Sequence, residues 1–369
     1  MRWSDPDPEK FIEVVFIEKK SFDELSEYLE MFSRQIIMRD FGLENQLKLR
    51  EKSILVVGSG ALGSAISILM TRSGVKRIRI IDSDEVELSN IPRTLSYVYR
   101  DAGNRTPKAY ALARSLKEVF PDIEVDYRID NIDVDNILDL LRDVDIVLDG
   151  LDNLETRFIV NEASVITGKP YVYSAVEGFY GVVMPVIPGE TACFRCIYTP
   201  STEILERRGD PCNVIGVSVL TVVATASIAS KLAIDLLLGR SIDPKIYYID
   251  MRRLEIGSLG IQRNPRCPVC GLREYEFIGK KSPREILAKC SKENMYQIKL
   301  PRPVSREDLE RISKHMRTEI SEDEFRYVIQ LGEKDHYRLE LYKNSRMGLV
   351  IGLPRERVAE ILETLRKIL

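Results

Sequence analysis

Two cysteine pairs of equal spacing, Cys193/Cys196 and Cys267/Cys270, and three glycines, Gly58, Gly60 and Gly63, are the residues whose types and spacing could do chemistry. Two residues between cysteines let one turn present both sulfurs. Two such turns close a tetrahedral zinc site with no open position, which is a structural pattern rather than a catalytic one. The glycines permit a tight turn and let backbone N–H groups at the start of a helix approach a phosphate. Either motif alone is weak, because Gly-x-Gly-x-x-Gly occurs in many nucleotide folds and a single Cys-x-x-Cys can be redox-active. Together, in this order, they point to a zinc-braced nucleotide enzyme.

The polar residues after the glycines decide which kind. Asp82 ends the next apolar run and is placed to accept from ribose hydroxyls, with Asp84 close behind. Asn90, Arg93 and Lys108 add an amide and two cations near the phosphates. A dinucleotide enzyme needs one helix dipole for its pyrophosphate. An enzyme that brings a carboxylate up to a triphosphate must offset several negative charges, so it collects arginine, lysine and a magnesium ligand. Asp152, just past the run ending at Leu148, is the expected magnesium ligand, with Asp149 near enough to share the role. Cys212 stands apart from both cysteine pairs. Arg207 and Arg208 beside it would lower its thiol pKa and favour a nucleophilic thiolate, whereas an isolated cysteine is otherwise a small hydrophobe. Cys290 is assigned no role.

These residues need a scaffold, and the pattern of apolar runs supplies one. Ser53 to Val57 reads as a strand leading into the glycine turn, Ala61 to Arg72 as a helix, and Arg77 to Ile81 as a second strand ending on Asp82. Strand, glycine turn, helix, strand and acid is the Rossmann order. Glu124 to Arg128 and Asp145 to Leu148 continue the sheet, with helices at Ala109 to Phe120 and Val134 to Leu141; strands at Tyr171 to Ser174 and Gly181 to Val186 extend it. The fold class expected is α/β, a mostly parallel sheet with a structural zinc site, followed by a small α+β domain. That last module is read from alternation in 296–300, 325–331, 337–341 and 347–351, with helices at Val304 to Met316 and Pro354 to Leu369. Ahead of the sheet, Phe11 to Ile17 reads as a strand and Ser21 to Glu24 as a capping box opening a helix through Phe32. The division expected is an N-terminal extension 1–31, an ATP-binding domain 32–274, a charged linker 275–294 and a small domain 295–369.

Bulk composition narrows the partners. Of 369 residues, 54 are Lys or Arg and 57 Asp or Glu, a formal charge of −3, so no global basic field exists to hold nucleic acid or an anionic membrane. The uncharged stretch Val214 to Ser230 falls short of the ~20 apolar residues a membrane span needs and reads as a buried helix. The first residues do not form a basic end with an apolar run, and six cysteines, four of them in close pairs, suit metal ligation in a reducing compartment. A cytoplasmic protein is expected.

Taken together, the motifs Ser33-Arg34-Gln35, Gly58 to Gly63, Asp82-x-Asp84, Leu88-Ser89-Asn90-x-x-Arg93, Pro107-Lys108, Asp152-Asn153 and both cysteine pairs resemble the ThiF/MoeB/HesA family of adenylyltransferases. That family shares its fold with the adenylation domain of ubiquitin-activating enzymes. The resemblance runs from about Phe32 to Leu272. It implies attack on Mg-ATP by the C-terminal glycine carboxylate of a ubiquitin-like or sulfur-carrier protein ending in Gly-Gly, giving an acyl adenylate and pyrophosphate. It further implies that Asp82 holds the ribose, that Asn90, Arg93 and Lys108 hold the phosphates, that Asp152 holds magnesium and that the four paired cysteines hold zinc. Arg34 resembles the arginine that family dimers insert into the neighbouring subunit's site, which implies a homodimer. Cys212 is similar in position to the cysteine that takes the acyl group as a thioester or joins a sulfur relay. A conjugating enzyme or a cysteine desulfurase would then act downstream. Two departures are local: Pro92 and Thr94 flank Arg93 where glutamines are usual, and the stretch from Arg93 to Lys108 is slightly long.

Other readings compete. An ATP-dependent dehydratase of a modified tRNA base belongs to the same superfamily, but a near-neutral charge and the cysteine pairs disfavour it. An NAD-dependent oxidoreductase needs a hydride-site acid or base, and the two histidines, His315 and His336, both fall in the tail module. That module has no cysteine-bearing loop of the rhodanese kind. Its expected role is recruitment of a partner protein.

Overall fold

The computed structural model describes residues 24–200, 216–280, 285–288, 294–332 and 337–369. The expected strand at Phe11 to Ile17, the capping box at Ser21, and Cys212 with its two arginines all lie outside the described residues.

Eight strands form one sheet: β1 (Ser53–Val57), β2 (Arg77–Ile81), β3 (Glu124–Arg128), β4 (Ile146–Asp149), β5 (Tyr171–Glu177), β6 (Tyr180–Val186), β7 (Lys245–Asp250) and β8 (Glu255–Gly260). Their order is β3-β2-β1-β4-β5-β6-β7-β8. The first five are parallel, and β6, β7 and β8 continue antiparallel from β5. β1 shows why the apolar runs are continuous. Ile54 and Val56 face a core with α2 (Ala61–Arg72), α3 (Lys108–Val119) and α5 (Val219–Leu237), while Leu55 and Val57 face a second core with α4 (Leu154–Thr167) and the cysteine pairs. Period-two alternation with both faces covered leaves no polar position from Ile54 to Val57. A shorter helix, α1 (Gly42–Arg50), packs beneath this sheet through Leu49.

The run read as a buried helix from Val214 is shifted. α5 is 19 residues long and, by length and composition, is apolar enough to cross a membrane. Its stripe of Val222, Ala226, Ala229, Ala233 and Leu237 instead lies in the core, against α2, β5 and β6. The β7–β8 hairpin goes unread in the sequence, because Ile256 and Leu259 are exposed and the hairpin lacks the alternation of a half-buried sheet.

A second sheet of six strands has the order β11-β12-β13-β14-β10-β9. Its strands are β9 (Ile286–Ala288), β10 (Met295–Lys299), β11 (Ile320–Glu322), β12 (Arg326–Gln330), β13 (Arg338–Tyr342) and β14 (Met347–Ile351). All the pairings are antiparallel. β9 falls within 275–294, where charge suggested a linker, and pairs with β10. One face carries α6 (Arg306–Met316) and α7 (Arg355–Ile368) over Ile298, Ile312, Leu339, Leu341, Val350, Val358 and Leu362. The opposite face puts Tyr342, Met347 and Leu349 on Ile129, just beyond β3. The small domain therefore packs on the edge of the large one.

Candidate nucleotide site and cysteine cluster

The order of the first sheet reverses direction between β1 and β4, and ligands of open α/β sheets bind outside the strand ends at such a point. The loops leaving these strands are in contact. Gly58, at φ +82°, has its Cβ position 2.7 Å from the Gly150 carbonyl oxygen, and Cβ positions on Gly63 and Gly150 would lie 1.9 and 2.5 Å from the Gly58 oxygen. No side chain fits at any of the three. By contrast, a Cβ at Gly60 would meet nothing within 4 Å, so this residue faces open space at the N-terminus of α2. The first N–H groups of that helix have no intrahelical acceptor and carry its positive dipole end.

Asp82 organises this turn. Its carboxylate accepts from the Ser59 N–H at 2.7 Å and from the Asp84 N–H at 2.7 Å. Burial raises its pKa, and the neighbouring Asp84 charge adds to that, against the pull of Lys108. Lys108 opens α3 and bonds Asp84 at 3.0 Å with its side chain only 13% exposed. Burial opposes its charge, but Asp84 and Asp82 outweigh that and hold its pKa above the usual lysine value. An ammonium has three N–H donors, so the Asp84 bond leaves capacity for a phosphate. Tyr97 is buried and donates its hydroxyl to the Ser59 carbonyl, tying the segment that follows Arg93 to the glycine turn.

Asn90 and Arg93 lie on a 3₁₀ turn, Leu88–Arg93, with Pro92 accommodated inside it. The Asn90 amide oxygen accepts the Glu87 N–H at 3.0 Å, so this side chain caps the turn, and one Arg93 N–H is donated to the Ser89 carbonyl at 2.5 Å. Asp152 is exposed on the loop after Gly150, and Asn153 caps α4 by accepting from the Thr156 N–H at 2.9 Å. Asp149, by contrast, is engaged within the protein. It is fully buried, one oxygen accepts from the Leu151 N–H at 2.8 Å, and the other takes Arg157 at 3.2 Å and the Tyr171 hydroxyl. Both oxygens are occupied in holding the loop that presents Asp152.

Arg34 is exposed and remote from its own glycine turn. The neighbouring Gln35 donates to the Ser73 carbonyl at 2.8 Å, and Ser73 caps the far end of α2. A helix of 12 residues separates the two ends, about 18 Å at 1.5 Å per residue. The structure thus brings together Gly58, Gly60, Gly63, Asp82, Asp84, Lys108 and the Asp152 loop, and leaves Arg34 outside. Sequence reasoning missed Gly150, Tyr97 and Arg157. Only Gly150, in an Asp-Gly step after an apolar run, left any signal.

Across the sheet, the sulfurs of Cys193, Cys196, Cys267 and Cys270 lie within 4.8 Å of one another. Cys193 is 3.9 Å from Cys196 and 3.7 Å from Cys267, and Cys196 is 3.4 Å from Cys270. Four thiolates about 2.3 Å from a central ion would be roughly 3.8 Å apart, so the cluster fits one metal with no position open. Asn161 of α4 donates to the Cys193 sulfur at 3.7 Å and accepts from the Phe194 N–H at 2.8 Å. Next to it, Glu162 accepts from the N–H groups of Glu276, Phe277 and Ile278, fixing the chain that leaves the second pair. One helix thereby starts at the Asp152 loop and buttresses the cysteine cluster.

Comparison with known proteins agrees with this geometry. The model of the ThiF family matches residues 32–269. The chain is 32% identical over 271 residues to the sulfur carrier protein ThiS adenylyltransferase of Bacillus subtilis, covering 73% of this chain and 79% of that one. It is 34% identical over 251 residues to a sulfur carrier protein adenylyltransferase of Thermus thermophilus, covering 66% and 92%. With the SAMP-activating enzyme E1 of Haloferax volcanii it shares 30% over 245 residues, covering 66% and 89%. Among solved structures, E. coli MccB with ATP superposes at a TM-score of 0.53 with 24% identity, over 62% of this chain and 69% of that one, a likeness of fold. The glycine turn, its acid and lysine, and three of the four clustered cysteines fall inside the matched residues, with Cys270 one residue beyond them, and the chain belongs to the ThiF family.

Proposed function

We propose that the protein catalyses ATP-dependent adenylation of the C-terminal glycine of a ubiquitin-like or sulfur-carrier protein. The observation that carries this reading is the convergence of Lys108, Asp84 and Asp82 on the turn at Gly58, with the Asp152 loop in contact across Gly150. The relatives named as sulfur-carrier adenylyltransferases support the substrate class.

In this reading the adenosine ribose bonds Asp82 and the phosphates lie over the N-terminus of α2, facing Lys108, Arg93 and Asn90. The glycine carboxylate oxygen attacks the α-phosphorus; the new P–O bond forms as the bond to the β-phosphate oxygen breaks, and pyrophosphate leaves with its electron pair. Two anions must meet in that step, so fixed cations aimed at the phosphates supply the stabilisation. Asp152 would hold magnesium, which when bound supplies charge neutralisation on the phosphates. Zinc is the ion proposed for the four cysteines, in a structural role. Arg34 is proposed to act in the site of a second copy, making the working unit a homodimer. Cys212 is proposed to take the acyl group next: its thiolate attacks the carbonyl carbon, a C–S bond forms, and AMP leaves.

Exchange of labelled pyrophosphate into ATP tests the first step. Exchange that requires a Gly-Gly-tailed small protein and falls more than about 100-fold in Lys108→Ala is the expected result, on the scale of losing one phosphate-stabilising donor. Exchange without that protein, or exchange unaffected by the substitution, overturns the reading. For Cys212, exchange should persist in Cys212→Ala while a reductant-sensitive adduct disappears; an unchanged adduct removes it from the scheme.

A further inference from the structure

A network of charges around the buried Glu340 and Arg326 lies where the small domain meets the large one. Glu85, the residue after Asp84, accepts from Arg105 at 2.8 Å, from the Tyr342 hydroxyl at 2.6 Å and from Arg326. Glu340 of β13 is 1% exposed and takes a bidentate pair from Arg105 at 2.7 and 2.9 Å, Arg338 at 2.7 Å and Arg326 at 3.4 Å. Arg326 also holds Asp323 at 2.7 Å. Three arginines thus meet three carboxylates, and Arg105 is the large domain's arm into the small one.

That arm is joined directly to the nucleotide site. Glu85 and Pro107 form an antiparallel bridge, flanked by the Lys108 N–H to Asp84 carbonyl bond at 2.8 Å and the Val86 N–H to Thr106 carbonyl bond at 2.8 Å. Successive residues of an extended segment point to opposite sides. Asp84 accordingly pairs with Lys108 on the nucleotide side of this two-rung ladder, and Glu85 pairs with Arg105, Arg326 and Tyr342 on the other. Arg105 itself sits at φ +50°, a left-handed conformation unfavourable for an arginine, which its ion pairs on Glu85 and Glu340 hold in place.

We propose that Glu340 and Tyr342 of the small domain are positioning residues for the nucleotide site, bracing the Asp84–Glu85 and Arg105–Lys108 segments so that the Lys108 ammonium is held where a phosphate arrives. Docking of the small domain and ATP affinity are then linked, and each strengthens the other. The inference rests on the reading of Lys108 as a phosphate ligand.

ATP affinity measured by calorimetric titration of the full chain tests it. Glu340→Gln keeps the shape but leaves three guanidinium groups short of charge, and it should weaken ATP binding about 10-fold, within the range by which residues remote from a ligand alter coupling. Tyr342→Phe, a milder change that keeps the ring packed, should weaken it about threefold by the same route. In a Lys108→Ala background both effects should fall below about twofold, because residues acting through one group are not additive. Leu362→Ala, which opens a hole in the small domain's core away from the interface, should lower the melting temperature and leave ATP affinity intact. ATP affinity unchanged in Glu340→Gln and Tyr342→Phe, or lowered equally with and without Lys108, or lowered equally by Leu362→Ala, overturns the bracing role. If Lys108→Ala alone binds ATP as the wild type does, the nucleotide-site reading fails and the brace with it.

Discussion

At the scale of single residues, three glycines meet backbone to backbone and Lys108 is held beside their turn through Asp84. The Gly58, Gly63 and Gly150 backbones approach so closely that a methyl group on any of them must displace main chain. Gly150→Ala should therefore cost about 1–3 kcal/mol of stability, as overpacking does, whereas the exposed neighbour Asp152→Ala should change stability by less than about 0.5 kcal/mol and act on Mg-ATP binding instead. Parallel thermal melts and ATP titrations of the two variants check this. Glu340 gives a pH signature. Burial alone would raise its pKa, but Arg105, Arg326 and Arg338 hold it below the usual carboxylate range. A depressed carboxylate stabilises the fold above its unfolded pKa of about 4.3 and loses that contribution as pH falls towards its folded value. The melting-temperature gap between wild type and Glu340→Gln should stay constant from neutral pH down to about 4.3 and then narrow.

At the scale of elements, α4 does two things: its start carries the Asp152 loop, and Asn161 and Glu162 fasten the cysteine-bearing turns. Removing the metal should act on stability more than on chemistry. Cys267→Ser should lower the melting temperature by about 10 °C, taking ~3 kcal/mol lost at ~2–4 °C per kcal/mol, while ATP affinity changes little. Metal analysis with melting curves settles the first half and ATP titration the second. The elements nearest the site were the most legible in the sequence. Residues 54–57 are apolar because both faces of β1 are covered, 77–81 is apolar only at the buried positions Ile78, Ile80 and Ile81 of β2, and the glycines mark where backbone replaces side chain. The β7–β8 hairpin was not legible, because its exposed Leu254, Ile256 and Leu259 break the inside–outside pattern. Nor were the brace residues, since a glutamate next to an aspartate and an arginine in a loop read as solvated charge until the fold brings residues 85 and 340 together.

At the scale of the whole molecule, the small domain grips the large one at Glu85 and Arg105, the residues next to the Asp84–Lys108 pair. Within one chain the site lacks the arginine expected to complete it, because Arg34 lies at the far end of α2. If a second copy supplies it, a mixture of Arg34→Ala and Lys108→Ala subunits regains activity: each heterodimer contains one site with both residues intact. Recovery of about a quarter of wild-type exchange from an equal, randomly assorted mixture is expected, since half the dimers are then mixed and one of their two sites is whole. No recovery, with dimers present by sedimentation, would place Arg34 outside catalysis. The central claim is that this constellation joins a C-terminal glycine to AMP, and intact-mass measurement of the acceptor tests it most directly. With Mg-ATP and pyrophosphatase present, a small Gly-Gly-tailed protein should gain the mass of one adenylyl group in the wild type, and should gain nothing with Lys108→Ala or when its last glycine is removed. ATP consumed with no adduct on that carboxylate, or an adduct that survives loss of the glycine, would contradict the account.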